Sequence, residues 1–300
     1  MFFNKFNKVF SKPKNAAYMF LFPSMIVVVV FVLLPVIVAV MLSFFKLDIF
    51  LSELKFVGFS NFQRMIGDER FWNALGNTFK YVSAEVPIQI LLGLIVAICL
   101  KHNTFFNKVS RTIFFIPVVV SMSAVGILWS LILDQTLGIY PYWLTLIGLP
   151  KYLFLRDPNM AMGTVIGASV WKNFGFTMVI MIAGLNAIPD VYYEAAMIDG
   201  ANGIKKFFYI TVPMLMPTLG FVAVTTTITS FQVFDAVYVM TQGGPLFKTE
   251  TIVQYIYSRG FSVTYELGYA STIALVLFII IAIISILMYN FFIKKETVNL

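Results

Sequence analysis

The chain has 300 residues, of which 60% are hydrophobic, 17% aromatic and only 12% charged, with a formal charge of +7. A soluble domain is roughly 45–50% apolar and about 25% charged, so this composition excludes an ordinary water-soluble fold and selects lipid as the solvent. A single cysteine, Cys99, and a single histidine, His102, exclude a disulfide framework and any catalytic or metal centre built from several such residues.

A helix needs about 20 apolar residues to cross the hydrocarbon core, and six segments are predicted to do so. The first, about 18–43, follows Lys5, Lys8, Lys12 and Lys14. It is much longer than the roughly 7–15 apolar residues of a cleavable signal, so it is expected to be a retained span. The second covers about 77–100, the third about 112–133, the fourth about 161–185, the fifth about 213–234 and the sixth about 269–293. Pro35, Pro87 and Pro117 lie inside spans and predict kinks. The fold class is therefore all-α integral membrane.

Charge placement gives the orientation. Residues 1–17 form a basic head, the loop between spans two and three carries Lys101, Lys108 and Arg111, and the tail at 294–300 carries Lys294 and Lys295. The loop after span one has mixed charge: Lys46, Asp48, Glu53, Lys55, Arg64, Asp68, Glu69 and Arg70. With six spans the basic segments share one face, so both termini are expected in the cytoplasm. The basic balance thus reads as membrane orientation and not as a nucleic-acid surface, because no basic stripe is interleaved with aromatics.

The cytoplasmic connection at 186–212 is long and amphipathic. Pro189 suits the first turn of a helix, Asp190 and Glu194 suit the positive end of its dipole, and Gly200 can stop it in a left-handed conformation. A second short helix, about 202–210, would place Ile204, Phe207 and Phe208 on one side, and Pro213 would mark a break before span five. The expectation is two short helices at the membrane surface, joined by a sharp turn and presenting apolar side chains.

Glu194-Ala195-Ala196, then Asp199-Gly200, then Ile210 and Pro213, resemble the EAA loop of binding-protein-dependent ABC importer permeases. Val212 stands where leucine is usual in that pattern. Phe56–Phe62, Phe71–Thr78, Ser230–Asp235, Thr241–Pro245 and Glu250–Tyr257 are similar to the compact six-span carbohydrate branch, of MalF/UgpA-like type. The resemblance implies a type I importer transmembrane domain whose coupling loop docks in a cleft of a cytoplasmic ATPase. It implies that Glu194 engages a basic group there, that Ala195 and Ala196 allow close approach, and that Gly200 makes the turn. It further implies a homologous second permease, an ATPase dimer, an extracytoplasmic solute-binding protein and alternating access driven by ATP. The sequence holds no Gly-x-x-x-x-Gly-Lys-Ser/Thr loop, so ATP and Mg are expected on the partner ATPase, with no cofactor, metal or catalytic residue on this chain.

Spans four and five are less apolar than the rest. Trp171 and Asn173 in the fourth, and Thr229, Ser230, Gln232, Phe234 and Asp235 in the fifth, are candidate substrate-pathway residues. Polar groups at membrane depth face a bundle interior or a wet cavity, although hydrogen bonding between helices would account for them as well. Glu85 and Lys172 are left between pathway and structural roles. A sugar is the expected substrate. Glycerol phosphate is the alternative, hinted at by Lys172, and a gradient-driven secondary transporter is the other.

Overall fold

The computed structural model describes residues 13–47, 54–150, 152–262 and 265–292. Lys5, Lys8, Lys12, Asp48, Glu53, Lys294 and Lys295, and with them most of the expected head and all of the tail, lie outside the described residues. The chain divides into two compact units. One runs up to Gly67 and includes Ile256–Val276; the other comprises Asp68–Tyr255 and the chain from Leu277 onward.

In the first unit, α1 (Pro13–Val28) passes through a π turn at Val29–Leu33 into α2 (Leu34–Leu42). Pro35 falls at the start of α2 and lacks an N–H, and the π turn just before it re-registers the ladder, so that Leu34 N–H reaches Val29 O. Antiparallel strands β1 (Phe45–Lys46) and β2 (Lys55–Phe56) follow, then α3 (Ser60–Ile66). The Asn61 amide donates to Ser43 O at 2.9 Å and Phe45 O at 3.0 Å, and Thr272 Oγ1 donates to Ser43 O at 3.1 Å. Arg64 forms a bidentate pair with Glu266 at 2.8 and 2.9 Å and lies 4.3 Å over the Tyr269 ring. Planar fork-to-carboxylate geometry of this kind fixes orientation as well as distance.

The second unit is built on α4 (Glu69–Leu100), α5 (Phe105–Val119), α6 (Met122–Ile132), α7 (Ile139–Leu146) and α8 (Ala161–Asn186). They are followed by α9 (Asp190–Ile198), α10 (Gly203–Lys206), a π turn at Phe207–Thr211, α11 (Val212–Phe231) and α12 (Asp235–Met240). Beyond them, α13 (Ile252–Tyr257), a π turn at Ser258–Ser262 and α14 (Leu267–Phe292) complete the described helices. Helix α4 continues through Pro87 and, at 32 residues, is about 48 Å long. That exceeds the roughly 30 Å hydrocarbon core, so its amphipathic first turns project beyond it.

Small residues let these helices approach, as apolar solvent requires. A methyl on Gly93 of α4 would come within 2.5 Å of Thr177 Cγ2 on α8, and one on Gly184 would come within 2.6 Å of Thr218 Oγ1 on α11. Gln89 Nε2 donates to Thr177 Oγ1 at 3.0 Å in the same buried seam. Ala97, Leu100, Met178, Met181, Ile182, Leu185, Leu215 and Val222 form the core where α4, α8 and α11 converge.

Among the described residues, five helices are long and apolar enough to cross a membrane, or six if one bent pair counts as a span. That pair, α5 and α6, replaces the single expected helix at 112–133 with two helices meeting at 97°. Pro117 lies one turn before the break, and Ser121 starts α6 by accepting from Ala124 N–H at 3.3 Å. The exposed carbonyl of Val118 is met by the Lys172 ammonium of α8 at 3.2 Å. Gly175 lies so close to Phe114 O that no side chain would fit.

Residues 68–78 grip the loop at 247–252. Asp68 caps α4 by accepting from Arg70 and Phe71 N–H, and it also accepts from the Tyr255 hydroxyl. Arg70 forms a bidentate pair with the buried Glu250 at 2.8 and 2.7 Å, its guanidinium 4.1 Å over the Phe247 ring. Asn73 and Asn77 donate to Phe247 O, Asn77 also to Glu250 O, and Thr78 Oγ1 accepts from Ile252 N–H at 2.8 Å. These contacts join two stretches that lie far apart in sequence and that the sequence reading treats as separate signatures.

Candidate functional site: a surface hairpin and a polar cavity

The connection after α8 is a helical hairpin. Pro189 is the N-cap of α9, with Asp190 in the first turn where the dipole favours it. The helix ends in a Schellman pair: Ala201 N–H donates to Ala196 O at 2.8 Å and Gly200 N–H to Met197 O at 3.1 Å. The pair needs a left-handed residue at Gly200, which has φ +74°. Asn202 then caps α10, its Oδ1 accepting from Lys205 N–H at 2.9 Å.

Pro213 does not break the chain before the fifth span, contrary to expectation. The π turn at Phe207–Thr211 carries α10 directly into α11, and its wider bond, from Val212 N–H to Phe207 O, re-registers the ladder just before Pro213, which has no N–H to give. The second arm of the hairpin is therefore an extension of span five, one continuous helix from Gly203 to Phe231.

Glu194, Ala195, Asp199 and Gly200 are exposed, Ala196 is half-buried, and Ile204 and Phe208 are exposed. Phe207 and Ile210 are half-buried, and the Phe207 and Phe208 rings meet edge to face at 5.1 Å. Ile198 is 87% exposed at the tip of the first arm.

The hairpin is tied to the bundle through residues the sequence did not single out. Ile188 is buried in the α4–α8–α11 core, and Tyr193 packs against it. The Tyr193 hydroxyl meets Thr211 Oγ1 at 3.0 Å, and the Lys101 ammonium lies 5.3 Å over its ring. Tyr193 sits one position before Glu194; a signal for it was available only as an aromatic on the inner face of an otherwise open helix.

The membrane region holds a polar cavity of about 180 Å³ between α4, α8 and the end of α11. It brings together six of the seven expected pathway residues: Asn173, Thr229, Ser230, Gln232, Phe234 and Asp235. Trp171 does not line it. That side chain is turned away from Asn173, half open and edge-on to Trp129 at 5.7 Å. Tyr81, Glu85, Met122 and Ser169 are lining residues absent from the expected set. Glu85 is buried and accepts from Ser230 Oγ at 2.5 Å. Thr229 Oγ1 donates back to Thr225 O and Thr226 O, so it offers the cavity acceptor lone pairs only. Phe234 stacks on Tyr238 at 5.1 Å and 20°.

Beyond α6, Asp134 accepts from Leu137 and Thr136 N–H, which holds its carboxyl below the usual range and closes the turn. Among the described residues no cluster of histidine, cysteine and carboxylate side chains could hold a metal ion.

A bundle of membrane-length helices with an exposed helical hairpin and a polar cavity between the helices fits the solute-permease class of membrane protein. Residues 89–296 match the family described as "Binding-protein-dependent transport system inner membrane component". The chain belongs to that family and is an ABC importer permease subunit of a cell membrane. It is 36% identical over 284 residues to "Probable ABC transporter permease protein YesP" of Bacillus subtilis, covering 93% of this chain and 91% of the relative. It is 32% identical over 249 residues to "Trehalose/maltose transport system permease protein MalF" of Thermococcus litoralis, covering 83% and 84%. The fold matches a chain of a crystal structure of a bacterial alginate ABC transporter in complex with an alginate-pentasaccharide-bound periplasmic protein. That match has a TM-score of 0.80 over 96% of this chain and 98% of the other, at 22% identity.

Proposed function

We propose that this subunit translocates a sugar inward by alternating access, energised by a separate ATPase dimer that grips the 186–212 hairpin. The observation that carries the reading is the hairpin itself. It has a glycine-locked turn, open apolar side chains at its tip, and a buried root in the core where three membrane helices meet. Such an element moves as a rigid lever, so displacement at Ile198 or Ile204 is transmitted to α4, α8 and α11. In this reading Glu194 pairs with a basic group of the ATPase, and ATP with Mg binds to that partner.

The cavity supports a hydroxyl-rich solute, which can pair with Asn173, Ser230 and Gln232 while an apolar ring face lies on Phe234. At about 180 Å³ it is smaller than the roughly 300–1,000 Å³ of a complete ligand pocket, as fits one half of a pathway completed by a homologous second permease. An extracytoplasmic binding protein would deliver the solute. The name of the Thermococcus relative favours a neutral di- or oligosaccharide. We read the bent α5–α6 pair as one span, because only an even number of crossings puts the basic head and tail together in the cytoplasm.

The test is uptake by vesicles carrying the assembled complex. Uptake should stop on ATP depletion and survive an ionophore, and Glu194→Lys should abolish it while the protein stays in the membrane. Uptake that survives ATP depletion and collapses with the ionophore would identify a gradient-driven carrier instead.

A further inference from the structure

We infer that the cavity selects uncharged, hydroxyl-bearing solutes and rejects phosphorylated or carboxylated ones, through Glu85 at its floor and Asp235 at its mouth. The inference rests on the permease reading and names the substrate class within it. Among the described residues that line the cavity there are two carboxylates and no lysine or arginine. Glu85 is 2% exposed and Asp235 is open. Glu85 already accepts one hydrogen bond from Ser230 Oγ, and a carboxylate has further lone pairs to satisfy.

Of the other polar lining groups, Asn173, Gln232, Tyr81 and Ser169 can donate as well as accept, as a sugar hydroxyl requires. Thr229 Oγ1 donates to its own helix, so it too offers the cavity an acceptor. A sugar hydroxyl both donates and accepts, so it can satisfy these groups. A phosphate or ionised carboxylate brings acceptors alone and has nothing to donate to the open carboxylate of Asp235. Setting like charges against one another is an effective means of rejection.

The nearby cation Lys172 does not reverse this. Lys172 neighbours Asn173 in sequence, but its ammonium donates to Val118 O at 3.2 Å and to Asn173 Oδ1 at 3.5 Å. It caps the break between α5 and α6 and is not among the residues lining the cavity. The sequence hint that Lys172 favours glycerol phosphate therefore loses its support.

The test uses the assembled complex carrying Cys99→Ser and Gln232→Cys, and follows maleimide labelling of the introduced thiol. Cys99 is this chain's only native cysteine, so labelling is read on this subunit's band after the subunits are separated. Saturating maltose or trehalose should slow labelling at least about twofold, while sn-glycerol 3-phosphate should leave the rate unchanged. Adding Asp235→Asn, an open site where folding is not at stake, should let glycerol 3-phosphate protect. Protection by glycerol 3-phosphate equal to that by the disaccharides overturns charge selection. So does an Asp235→Asn variant that still ignores glycerol 3-phosphate. Protection by neither class overturns the assignment of this cavity, while ATP-dependent uptake remains the separate test of the importer reading.

Discussion

Gly200 offers a sharp test of the hairpin, because its surroundings separate backbone strain from packing. A Cβ built there meets no atom within 4 Å, yet φ is +74°. Any cost of substitution therefore comes from the left-handed backbone alone. That cost is about 1–2 kcal/mol for an ordinary L-residue, less for asparagine, and more for a β-branched residue, for which such a φ is a genuine outlier. A penalty of 1–2 kcal/mol shifts the balance between the locked turn and alternatives by a factor of roughly 5–30. Coupled uptake, and co-purification of the ATPase from detergent, should fall in the order Gly200→Asn, Gly200→Ala, Gly200→Val. The asparagine variant should stay close to the native protein, and the valine variant should lose coupling while α11 remains inserted. If Gly200→Val coupled ATP to uptake at the native rate, the turn geometry would not be what the ATPase reads.

The remaining expectations concern contacts that hold the lever and the outer loop. Arg70→Ala would leave the buried Glu250 carboxylate unpaired, at a cost of about 3–5 kcal/mol. Thermal unfolding in detergent should show a large drop for Arg70→Ala, partly recovered by adding Glu250→Gln; no recovery would mean that the pair is not the source of the loss. Tyr193→Phe removes only the hydroxyl contact to Thr211 and should cost about 0.5–1.5 kcal/mol. It should lower the uptake obtained per ATP hydrolysed more than it lowers ATPase binding. Equal losses in both would place Tyr193 at the docking surface and not at the root of the lever. Gly93→Leu should prevent α4 and α8 from packing, because even a methyl lies 2.5 Å from Thr177 Cγ2; a fully assembled, native-melting variant would contradict that packing.

Much of this architecture was legible in the sequence because lipid imposes simple rules. Uncharged apolar runs mark helices, and α8, α11 and α14 begin and end within a few residues of the expected spans. The first hairpin arm was legible because proline, an acidic first turn and glycine each have one favoured place along a helix. The bend between α5 and α6 was not, because Pro117 also fits a gentle kink, and the break depends on Lys172 and Gly175 arriving from α8. Nor was the continuity through Pro213, since a π turn leaves no compositional trace. Helix α4 starts at Glu69 and not near residue 77 because its first two turns are amphipathic, held by the 247–252 loop and not by lipid. Six of the seven expected pathway residues share one cavity, and most of them stood out by polarity within apolar spans. Glu85 stayed between pathway and structural roles because its partner, Ser230, lies 145 residues away. Trp171 was included for its aromatic ring, although Trp129 takes that ring away from the cavity.

The most direct measurement is site-specific cross-linking from the tip of the hairpin. With Cys99→Ser as background, a thiol introduced by Ala195→Cys should cross-link to the ATPase subunit from the cytoplasmic side, with a yield that changes when ATP is bound. A thiol that reacts with impermeant reagents from outside intact cells, or that never reaches an ATPase in the purified complex, would contradict the proposal that a nucleotide-driven partner moves this lever.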